Sequence, residues 1–100
     1  MTIAMNISKA LLDITGEPKA EVAILEIMKD AIEHRIEKIR AELKKYEDKY
    51  LMAFVYFKDK FEKGEISESY SFKVETDYLE WEGLISRLKK YESLLAGMYN

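Results

Sequence analysis

The chain of 100 residues has no cysteine, no glutamine and a single proline. Without cysteine, disulfides, thiolate metal sites and cysteine nucleophiles are excluded. Such a chain fits a reducing compartment. Asparagine occurs only at Asn6 and Asn100. Few thermolabile amides on a surface rich in Lys and Glu is the composition of thermophile proteins. Long apolar runs are also missing. The longest spans residues 50–57, far short of the roughly 18 residues that a membrane helix needs. No basic region followed by a long apolar run opens the chain, so no secretory signal and a cytoplasmic location are expected. The four glycines are scattered singly, which leaves no phosphate-cradling loop.

Charge is what the chain has in quantity. Charged residues make up 35% of it, with both signs interspersed and a net charge of -3. That balance provides no general attraction to nucleic acid. One stretch is biased: Glu65, Glu68, Glu75, Asp77, Glu80 and Glu82 are compensated only by Lys73. It reads either as a solvated face or as a docking surface for a basic partner.

Hydrophobic periodicity makes the fold mainly α, in one domain over residues 1–100. From Pro18 to Tyr50, apolar residues recur at Leu25, Met28, Ile32, Ile36, Ile39, Leu43, Tyr46 and Tyr50, close to the 3.6 helical period. This long central helix would be about 45 Å in length. Its first part, Ala20–Ile32, carries apolar residues on more than one stripe and is expected to be buried on most sides. From Glu33 onward only a narrow stripe remains. Leu51–Lys63 reads as a second helix bearing Phe54, Phe57 and Phe61, stopped by Gly64. Asp77, with Glu80 three residues on, reads as the start of the last helix. Its seam is Trp81, Leu84, Leu88, Tyr91, Leu95 and Met98. That seam matches the outer half of the long helix, so the two are expected to pack antiparallel as a helical hairpin over residues 33–100.

Residues 1–32 form the N-terminal part. Ile3, Met5 and Ile7 alternate with Thr2, Ala4 and Asn6, the pattern of a short β-strand. Such a strand would pair with a second chain or with Tyr70–Val74; the alternative is the frayed start of a helix. Ser8 is expected to cap a short helix to Ile14, ended by Gly16, with Pro18 in the first turn of the next. The expected homodimer surface is Ile3, Met5, Ile7, Ile24 and Ile27.

Little in the sequence points to catalysis. His34 is the only histidine, with Asp30 and Lys38 one turn away, too few ligands for a stable metal site. No nucleophile elbow or oxyanion motif accompanies the serines. The expectation is a non-enzyme with no cofactor and no metal. Phe54, Phe57 and Phe61 read as core at their helical spacing. Trp81 beside the acidic cluster reads as either seam packing or an anchor for a protein partner.

Two resemblances bear on function. Strand, short helix, turn, long helix is similar in order to the ribbon-helix-helix fold, whose outward ribbon residues read the major groove. Here those would be Thr2, Ala4 and Asn6, but no Lys or Arg lies in the ribbon and Lys9 and Lys19 are balanced by Asp13 and Glu17. In the second half, residues 44–95 resemble small archaeal antitoxin-like proteins of toxin–antitoxin pairs. The carrying residues are Tyr46-Glu47, Lys49-Tyr50, Met52, Phe57, Lys60-Phe61, Gly64-Glu65-Ile66, Asp77-Tyr78, Glu80-Trp81 and Leu84. Where that pattern has glycine before the methionine, this chain has Leu51, and without glycine the long helix is free to run on. The resemblance implies a helical, acidic protein that neutralises a partner nuclease, and it transfers no catalytic residue. The expected partner contacts are Glu75, Asp77, Glu80, Trp81 and Glu82. A DNA-binding regulator and a plain structural bundle are the alternatives.

Overall fold

In the computed structural model, residues 2–67 and 71–99 are described, with side chains from residue 6 onward. Four helices follow in order: α1 Thr2–Thr15, α2 Ala20–Tyr50, α3 Phe54–Glu62 and α4 Phe72–Tyr99. No strand occurs among the described residues.

The expected N-terminal strand is therefore a helix. In α1 the half-buried positions are Ser8, Leu11, Leu12 and Thr15, at helical spacing, whereas Ile7, Ala10 and Ile14 are exposed; Ser8 is thus interior to the helix rather than its cap. A lone strand would leave its backbone groups unpaired, whereas a helix satisfies them internally. The strand that a ribbon-helix-helix order requires is thus absent from Thr2–Thr15. Tyr70, named as part of a pairing strand, lies outside the described residues, and Phe72 and Val74 are helical.

Each helix end has a local cause. Thr15 donates its hydroxyl to the Leu11 carbonyl at 2.7 Å, and Gly16, at φ 72°, sends its N–H back to the Leu12 carbonyl. Pro18 sits ahead of α2, which opens at Ala20 rather than at the proline. At its far end α2 does break at Leu51, although no glycine is there. Leu51 takes the left-handed conformation, φ 57° and ψ 37°, and its N–H bonds the Glu47 carbonyl. Gly64, at φ 70°, closes α3. α4 starts five residues before the expected Asp77. Ser71 Oγ accepts the Val74 N–H at 3.2 Å, so serine rather than the Asp77–Glu80 pair caps it.

α2 and α4 lie antiparallel along the seam Ile32, Ile36, Ile39 and Leu43, all buried. At one end Tyr99 donates to Glu33 Oε1 at 3.0 Å; near the middle Arg40 and Glu92 are 3.6 Å apart. α3 closes the other end, and the core concentrates there around Phe57 and Trp81, both fully buried. α1 folds back on the first half of α2, where Ala23 is fully buried. The remainder of that half is not covered as expected: Val22, Ile24, Leu25 and Met28 are 42%, 45%, 38% and 46% exposed. The molecule measures 57 × 27 × 20 Å with a radius of gyration of 19.6 Å. A compact chain of this length would have about 13 Å.

Candidate functional site

The acidic stretch lies on α4, whose helical period sorts its residues by direction. Val74, Trp81 and Leu84 turn inward and are buried. Trp81 packs among aromatic rings, with Phe57 at 4.9 Å, Phe54 at 5.3 Å and Tyr46 stacked at 5.5 Å. It is a core residue and not an exposed anchor. Its Nε1 has no hydrogen-bond partner, so buried area and ring packing hold it in place.

Asp77 also points inward. Its Oδ2 accepts the Tyr50 hydroxyl at 2.6 Å and the Lys49 ammonium, and its side chain is 13% exposed. Burial alone would raise its pKa, but the bonds from Lys49 and Tyr50 and the nearby charge of Lys73 outweigh it, so the carboxyl sits below its usual value. Tyr50 is pushed up, by burial first and then by its bond to Asp77. Tyr46 donates to Glu80, and its pKa is raised to about 12 by burial and then by that bond. Glu82 accepts from Tyr78 at 3.3 Å and lies 3.9 Å from Lys58.

Of the expected contacts on α4, Asp77 and Trp81 thus belong to the internal α2–α3–α4 joint. Glu80 and Glu82 have internal partners but keep access to solvent, and Glu75 is exposed. Two apolar residues share this outer face. Phe72 is 84% exposed and Leu79 is 65% exposed, one heptad apart and opposite Trp81 on the helix. Glu75 and Glu82 line one edge of that strip, and Glu80 lies beyond the other. Sequence reasoning missed Phe72 and Leu79. A helix starting at Asp77 already holds Leu79 in register with Glu80 and Glu82, whereas Phe72 and Glu75 would fall in the preceding connection; only the start at Phe72 brings them onto the same face. The signal was Ser71 with Phe72, Leu79 and Gly83 in steps of seven and four.

Elsewhere, Asn6 and Ile7 are exposed on α1, Ile24 is exposed on α2 and Ile27 is half-buried. The side chains of Thr2, Ile3, Ala4 and Met5 lie outside the described residues. His34 is exposed. Among the described residues, no group of three or more His, Asp or Glu is placed to hold a metal ion. The clefts are open flanks of the α2–α4 pair. The one lined by Glu33, Ile36, Glu37, Arg40, Glu92, Leu95, Ala96 and Tyr99 encloses about 400 Å³. No helix of the described residues is long and apolar enough to cross a membrane.

The chain belongs to the uncharacterized protein MJ0235 family, an archaeal family whose match runs over residues 1–100. No curated protein and no solved structure matches it.

Proposed function

We propose that this protein is a non-catalytic, antitoxin-like binding module of the cytoplasm, whose α4 outer face docks a basic protein partner while the N-terminal part self-associates. The observation that carries the reading is the exposed pair Phe72 and Leu79, set beside the carboxylates Glu75 and Glu82. Apolar anchors rimmed by one sign of charge suit a partner with a basic, partly apolar surface: the anchors contribute affinity, the charges orientation and on-rate. The resemblance of residues 44–95 to antitoxin-like proteins supports the same class of partner, a small basic toxin. Asp77 and Trp81 act indirectly, by holding α4 against α2 and α3 so that this face is rigid before it meets a partner.

The test is co-expression with the protein encoded by the neighbouring gene, followed by pull-down. Phe72→Ser with Leu79→Ser, and separately Glu75→Lys with Glu82→Lys, are expected to abolish retention while circular dichroism stays unchanged. Undiminished binding by both variants would mean that this face is not the docking surface.

A further inference from the structure

We infer that a second copy of this chain covers the exposed apolar strip Val22, Ile24, Leu25 and Met28, laying its own α2 antiparallel across a two-fold axis at Leu25. The inference rests on the self-association proposed above and specifies its geometry.

The strip continues the seam that α4 covers further along α2. Tyr99, the last described residue of α4, bonds Glu33, and its ring lies 4.2 Å from the Lys29 ammonium, at the border of the strip. The described part of α1 packs on another face of α2, where Ala23 is fully buried. Ala23 lies about 200° around the helix from Leu25. A seam that loses its internal partner without losing its apolar residues calls for an external helix of the same kind.

Charge selects a second copy as the occupant. The two ends of the strip carry opposite signs, Glu21 four residues before Leu25 and Lys29 four residues after it, each about 40° from Leu25 around the helix. With Leu25 on the axis, an antiparallel copy brings Glu21 of one chain level with Lys29 of the other, twice by symmetry, and sets Val22 against Met28. A partner of single charge sign would meet repulsion at one end. An isologous contact of this type closes on itself, so it stops at a dimer.

Because the chain contains no cysteine, Leu25→Cys carries one thiol. Two such thiols on the axis fall within disulfide reach, and oxidation is expected to yield a covalent dimer. Val55→Cys, at the far corner and 67% exposed in the native residue, is expected to stay uncross-linked under the same conditions. Leu25→Glu with Met28→Glu is expected to raise the dimer dissociation constant at least about 100-fold, with helicity retained. Glu21→Lys is expected to weaken the dimer, and adding Lys29→Glu to restore it. A dimer by light scattering that does not cross-link through Leu25→Cys, or whose charge reversal is not rescued, overturns this geometry and leaves self-association standing. A chain that stays monomeric at high concentration overturns both.

Discussion

Asp77 shows how one carboxylate does structural work in an acidic surface. It ties the last turn of α2, through Lys49 and Tyr50, to the second turn of α4. Its folded pKa is depressed, so its contribution to stability is full above the unfolded value of 3.8 and is lost as pH falls through the folded one. Tyr46 works in the opposite direction. Its folded pKa of about 12 exceeds the ordinary 10.0, so its contribution is full below pH 10 and lost as pH rises from there toward 12. Urea midpoints measured across pH are therefore expected to fall at both limits. Asp77→Asn should flatten the acid limb and Tyr46→Phe part of the alkaline limb, Tyr50 supplying the rest; an unchanged acid limb in Asp77→Asn would show that this carboxylate is not the cause. The inward residues of this joint were only half legible in the sequence. Trp81 fell on a seam by its spacing, but an acidic neighbourhood reads the same whether its carboxylates face solvent or accept phenol and ammonium groups from another helix.

At the scale of elements, helix ends carry the information. Gly16 and Gly64 mark stops that sequence alone identifies, because glycine tolerates positive φ. Leu51 carries no such mark, yet it takes the same conformation at φ 57°. An L-residue there is strained by about 1–2 kcal/mol. The break persists because Tyr50 is held by Asp77 and Phe57, and Phe54 by Trp81, which together fix α3 across the end of α2. Leu51 is 87% exposed, so truncating it removes no packing. Leu51→Gly is therefore expected to stabilise the protein by about 0.5–1 kcal/mol in denaturant titration. A loss of stability of that size would mean that the side chain has a contact partner beyond the single chain. The start of α4 is ambiguous for a related reason. Asp77–Glu80 and Ser71 both satisfy capping rules, and only packing of Val74 into the core decides for the earlier start.

Across the whole molecule, stability is unevenly distributed. The buried cluster Ile39, Leu43, Phe57, Val74, Trp81 and Leu84 lies at the α3 end, while α1 rests on the opposite half of α2 with Ile7 and Ile14 54% and 72% exposed. Amide exchange is expected to be slowest at Ile36–Leu43 and Trp81–Leu88 and fastest in α1, since exchange follows local contact density. Equal protection of α1 in the dimer-disrupted Leu25→Glu/Met28→Glu variant would contradict this division.

By itself the sequence determined the helical class, the long central helix, its antiparallel pairing with the last helix and the stops at the two glycines. These follow from local physics, a 3.6 period and the backbone freedom of glycine, which do not depend on the rest of the fold. Only the tertiary structure decided that residues 2–8 continue a helix, that Leu51 breaks one, and that Trp81 and Asp77 face inward while Phe72 and Leu79 face out. Those outcomes depend on which helix covers which stripe, and coverage is a property of packing between segments distant in the chain. The same dependence leaves Val22, Ile24, Leu25 and Met28 exposed, where Tyr99, the last described residue of α4, contacts α2 only at Lys29 and Glu33.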